Sequence, residues 1–126
     1  MKVIGNNYDD KGYLNTLSGM YLDGVDDYLE IVNFPMTTDF TISCFVNYTN
    51  NGVTNYLFEY ATAGGAEYVE FAILNDGRLF SEIKKPVGAL QLTTTGTIRE
   101  GVWNHLVFTG ENDGVTSTAK LYINGK

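Results

Sequence analysis

Two groups of carboxylates have spacings with chemical meaning. Asp23, Asp26 and Asp27 crowd one short stretch, Asp23-Gly24-Val25-Asp26-Asp27. Several oxygen ligands converging from a loop suit a hard cation, so these three are the metal-ligating candidates. Ca2+ is the one cofactor the chain suggests, bound at this turn or near Asp9 and Asp113. The spacing is not that of an EF-hand, and Asp-Gly is also ordinary turn chemistry. The second group is Glu67, Glu70 and Glu82. Glycoside hydrolysis needs two carboxyl groups flanking one bond, one protonated and one ionised. On a strand only residues at even spacing share a face, so Glu67 and Glu70 point apart, and Glu70 with Glu82 is the pair that remains. A non-catalytic sugar site needs less, namely exposed aromatic rings beside groups that hydrogen-bond hydroxyls. Tyr68, Glu70, Glu82, Tyr56 and Tyr48 are the carbohydrate-binding candidates on that ground, with Tyr60, Asn50 and Asn51 close by in sequence.

The remaining chemistry-bearing residues are single. His105 is the only histidine, and without a second histidine or a cysteine beside it there is neither a zinc site nor a nucleophile triad. It reads as a packing or hydrogen-bonding residue, and Trp103 as core. Cys44, the only cysteine, forms no intrachain disulfide and reads as a small core side chain. Asn47-Tyr48-Thr49 matches an N-glycosylation sequon, which matters only in a secreted chain. No glycine-rich phosphate motif is present. No catalytic residue is assigned, and the chain is expected not to be an enzyme.

The elements that must position these residues are strands. Asp39–Tyr48, read DFTISCFVNY, places Phe40, Ile42, Cys44 and Val46 on one face and Thr41, Ser43, Phe45 and Asn47 on the other. Tyr56–Tyr60 and residues 90–98 are further strands, and Trp103–Phe108 returns as Ala119–Ile123 in a long hairpin. Tyr21–Ile31 reads as two strand pieces around the acidic turn, and Tyr28 to Ile31 alternate as a half-buried strand does. Residues 1–19 form an irregular lead-in or an edge strand. No helical period appears, no linker divides the chain, and residues 1–126 are expected to form a single domain.

Glu67–Lys85 carries the clearest hairpin, and its register follows from the side chains. A two-residue Asp76-Gly77 turn sets Phe71 opposite Glu82 and mixes the faces. A three-residue loop, Asn75-Asp76-Gly77, pairs Val69 with Ile83, Phe71 with Ser81 and Ile73 with Leu79, which keeps one face apolar. The same register sets Glu70 directly across from Glu82, with Tyr68 across from Lys84 and Ala72 from Phe80. Opposed like charges destabilise a sheet unless a cation, a ligand or solvent compensates.

Composition agrees with an all-β fold: Tyr, 9, and Phe, 7, are numerous, and Gly, 14, far outnumbers Pro, 2. With 44% hydrophobic residues the chain can bury a core of its own. A net charge of −7 with scattered cations excludes the basic stripe that nucleic acid requires, and no apolar run reaches membrane-spanning length, so membrane insertion is not expected. Such a surface suits neutral sugars or cations. The first residues, Met1-Lys2-Val3-Ile4-Gly5, lack the apolar core of a signal peptide. At the other end Asn124-Gly125 is a strong hairpin-turn signal with only Lys126 after it. That predicts an incomplete sheet whose open edge a second protomer covers, as a homo-oligomer.

YLDGVDDYLEI at 21–31, DFTISCFV at 39–46, GVWNHLVFTG at 101–110 and KLYINGK at 120–126 resemble, in order and spacing, the laminin-G-like domains of the concanavalin A-like lectin/glucanase superfamily. The likeness covers residues 20–126. It implies a jelly-roll sandwich of two antiparallel sheets, here lacking its last strands. It implies a carbohydrate-binding or adhesion module in an extracellular, cell-surface or virion-associated setting. The runner-up is a structural module that mediates protein–protein assembly. A glucanase comes third, because the Glu-x-Asp-x-x-Glu strand of the superfamily's glucanases does not occur in the chain.

Overall fold

The structure is a computed structural model that describes residues 2–3, 20–22, 28–30, 39–85, 88–112 and 117–126. The chain divides into two compact units, Met1–Pro35 and Met36–Lys126. In the first, β1 (Lys2–Val3) pairs antiparallel with β2 (Met20–Tyr21), Lys2 opposite Tyr21 and Val3 opposite Met20. The strand expected from Tyr28 is absent over residues 28–30, where Tyr28, Leu29 and Glu30 are exposed outside any ladder. Alternation makes a strand only where an edge is available to pair with it. The acidic turn with Asp23, Asp26 and Asp27 lies outside the described residues.

The second unit holds β3 (Phe40–Asn47), β4 (Asn55–Ala61), β5 (Tyr68–Ile73), β6 (Arg78–Lys84), β7 (Ala89–Thr97), β8 (Trp103–Asn112) and β9 (Ser117–Ile123). They form two antiparallel sheets, a three-stranded one ordered β3-β8-β9 and a four-stranded one ordered β4-β5-β6-β7. Among the described residues there is no helix, so none that is long and apolar enough to cross a membrane. The architecture is the expected all-β sandwich. Its two apolar faces meet at Phe108 of β8, whose ring lies 5.5 Å from Phe71 of β5 and edge-on to Phe40 of β3 at 5.1 Å. Leu79, Leu106, Ile73 and Val69 complete the buried centre, and Phe40, Ile42, Cys44 and Val46 pack against it from β3 on the face their alternation assigns.

The β5–β6 hairpin adopts the three-residue loop. Val69 faces Ile83, Phe71 faces Ser81 and Ile73 faces Leu79. Leu74 N donates to Arg78 O and Gly77 N to Leu74 O, each at 2.9 Å, with Gly77 at φ 82°. An L-residue at that φ is strained, which is why glycine closes the loop. Asp76 braces it from outside, accepting Arg78 N at 3.1 Å and Arg78 Nε at 2.7 Å.

The last turn is also formed. Asn124 and Gly125 both have positive φ, 53° and 81°, the backbone of a two-residue hairpin turn of the kind that Asn-Gly favours. Ile123 N donates to Lys126 O at 2.9 Å and Lys126 N to Ile123 O at 3.2 Å. Asn124 N bonds His105 O on β8, so the Ile123–Lys126 pair sits on the opposite edge of β9, which pairs with no other strand among the described residues.

Candidate functional site

Each strand of the four-stranded sheet turns one face to the core and the other away from it, and on that outer face Ala72 and Glu82 of the middle strands are themselves buried. On that outer face the registers align side chains into rows. One row runs Ala61, Tyr68, Lys84, Ala89, the next Glu59, Glu70, Glu82, Gln91, and the third Tyr56, Ala72, Phe80, Thr93. The middle row places carboxylates on adjacent strands and ends in an amide. Tyr68 and Tyr56 flank it on either side, and Tyr56 is 55% exposed.

Opposed carboxylates on neighbouring strands repel, typically by a few tenths to 1 kcal/mol per pair. The sheet answers this in two ways. Glu82 beside the Tyr68 hydroxyl, ahead of burial and the other nearby groups, raises the Tyr68 phenol above its usual range. Glu82 itself is only 7% exposed. Glu70 keeps a titration above the ordinary carboxyl range, first because it is partly buried, then because Glu82 and Glu59 sit beside it. Lys84 Nζ rests 5.2 Å from the Tyr68 ring centroid, a cation–π contact that holds the ring in place.

The sequence candidates Tyr68, Glu70, Glu82 and Tyr56 thus converge on one face. Tyr48 does not join them. It is 5% exposed and packs in the core, with burial, then Glu100 and Asp76, raising its phenol; as the residue after β3 it points inward, and it is withdrawn as a sugar contact. Sequence reasoning passed over Glu59 and Gln91, the flanking members of the same row. Gln91 was within reach once a strand over residues 90–98 was assigned. Glu59 was not, because a bulge between Tyr56 and Phe58 shifts the phase of β4.

The metal candidates Asp23, Asp26 and Asp27, with Asp9 and Asp113, lie outside the described residues. Among the described residues no three His, Cys, Asp or Glu side chains are placed to hold a metal ion.

The outer face of the three-stranded sheet has different chemistry. Phe45 lies opposite His105 and Asn47 opposite Trp103. His105 Nε2 and Ser43 Oγ hydrogen-bond at 2.8 Å, and the Phe45 ring stacks on the imidazole at 4.6 Å and 20°. His105 therefore has the packing and hydrogen-bonding role expected of it. Trp103 does not have the core role expected: 41% of it is exposed, because strand alternation turns its neighbour Asn104 inward instead. Asn104, fully buried, donates from Nδ2 to Arg99 O at 2.8 Å and Val102 O at 3.0 Å. Cys44 faces inward as expected, and burial raises its thiol.

No curated protein and no solved structure matches the chain. A family model of laminin-G type, described as the concanavalin A-like lectin/glucanases superfamily, matches residues 23–126. That span includes the whole of both sheets and the outer face that carries Tyr56, Tyr68, Glu70 and Glu82. The chain belongs to the concanavalin A-like lectin/glucanases superfamily.

Proposed function

We propose that the chain is a non-catalytic carbohydrate-binding module whose ligand lies on the outer face of the four-stranded sheet, in an extracellular, cell-surface or virion-associated setting. One observation carries the reading, the row Glu59, Glu70, Glu82, Gln91 with Tyr56 and Tyr68 on its two sides. Aromatic rings supply faces for the C–H bonds of a pyranose, and carboxylates and an amide accept and donate to its hydroxyls. The superfamily name covers lectins and glucanases alike. The lectin side is favoured because Glu82 is buried beside the Tyr68 phenol, which leaves it poorly placed to attack an anomeric carbon.

A panel of immobilised glycans tests this, probed with the wild-type chain and with Tyr68→Ala. Binding to a neutral oligosaccharide that falls at least tenfold in the variant supports the reading. Equal binding by both proteins, or none by the wild type, rejects the site. Hydrolysis of a β-glucan panel that Glu70→Gln abolishes would replace the module with an enzyme.

A further inference from the structure

We propose that Asn47 is an N-glycosylation acceptor, and that the first sugar of its glycan lies against Phe45 and Trp103. The proposal rests on the extracellular setting above but not on the sugar site of the other sheet.

Asn47-Tyr48-Thr49 is the only Asn-x-Ser/Thr triplet in the chain. Asn47 and Thr49 are exposed while Tyr48 between them is buried, so alternation puts acceptor amide and hydroxyl on one outward side. Asn47 ends β3, which is an edge of its sheet among the described residues, and its side chain is exposed there. Phe45, two residues earlier on the same face, is 67% exposed, and half-exposed Trp103 lies directly across from Asn47. These large apolar surfaces are left in water by the fold, and both adjoin the one acceptor amide. His105 occupies one face of the Phe45 ring.

The chemistry balances with a donor of one class, an oligosaccharide joined through N-acetylglucosamine to a lipid diphosphate. Asn47 Nδ2 forms a bond to the anomeric carbon, the bond from that carbon to the diphosphate oxygen breaks, and the lipid diphosphate leaves with the electron pair. The amide proton passes to a base of the transferase. Once attached, the sugar ring turns its axial C–H bonds to Phe45 or Trp103, a contact of the kind that stabilises aromatic pairs. A glycan at this position also shields the β3 edge from pairing with another chain.

The test is translation of the full 126-residue chain, behind a cleavable leader, in the presence of eukaryotic microsomes. A glycosidase-sensitive mass shift that Asn47→Gln removes supports the acceptor, and an unshifted wild type overturns it. This readout needs neither secretion nor a stable fold. Protein secreted from eukaryotic cells then reports the contact. Enzymatic removal of the glycan is expected to lower the melting temperature by about 3 °C, and that difference is expected to vanish in Phe45→Ala or Trp103→Ala. A difference that persists in both variants overturns the aromatic contact. Loss of glycan-array binding leaves these results untouched, because unglycosylated protein serves for that assay.

Discussion

At the scale of single residues, the site is a problem of like charge. Glu59, Glu70 and Glu82 stand on three adjacent strands, with the Tyr68 phenol beside Glu82 and the Glu70 titration raised. The sign of the pH dependence follows. Glu70 is raised in the folded chain, so over the window from its ordinary value of 4.5 up to its folded value the native state retains a proton that the unfolded chain has released. Stability contributed by Glu70 therefore falls as pH rises through that window. Glu70→Gln is expected to remove that slope and to raise stability at neutral pH by about 0.5 kcal/mol, measured by urea unfolding at a series of pH values. Asp76 has the opposite sign. Its hydrogen bond from the Arg78 amide lowers it below 3.8, so its contribution is present at neutral pH and is lost as pH falls through its folded value. Asp76→Asn is expected to flatten the acid limb of the same titration.

At the scale of elements, the hairpin was legible and the bulges were not. The β5–β6 register follows from sorting apolar from polar residues across one loop, and Gly77 fixes the loop length. The bulges, between Tyr56 and Phe58 and between Arg78 and Phe80, leave no such mark. At the second of these, Leu79 N donates to the Thr94 hydroxyl at 3.0 Å and that hydroxyl donates to Gly96 O at 2.7 Å. A pairing that spans fifteen residues through a side chain has no local periodicity to reveal it. Trp103 was misread for a related reason. The inward position belongs to Asn104, which closes the turn before β8. Asn104→Leu is expected to cost about 2 kcal/mol, because it leaves the Arg99 and Val102 carbonyls without their buried donor. Close packing between strands sets a second test. A Cβ at Gly110 would stand 2.5 Å from the Phe40 ring, so Gly110→Ala is expected to destabilise by about 2 kcal/mol, with Phe40→Leu in the same chain recovering part of the loss. Thermal unfolding followed by near-UV circular dichroism measures both.

At the scale of the whole molecule, the fold class was readable from composition and alternation, since strand residues with glycine turns have few other destinations. β9 is an edge strand among the described residues, and the Ile123–Lys126 pair occupies only the end of its free side. A second copy covering that edge predicts a dimer by light scattering that dissociates on dilution, and a monomer at every concentration removes the idea.

The central claim, a sugar held on the outer face of the four-stranded sheet, is most directly tested by titrating neutral oligosaccharides into isotopically labelled chain and following amide resonances. Perturbations are expected to gather on Tyr56, Glu59, Tyr68, Glu70, Ala72, Glu82 and Gln91, and to be abolished by Tyr68→Ala in a protein whose other resonances are unchanged. Perturbations confined to the opposite sheet, or a spectrum that no oligosaccharide alters, would contradict it.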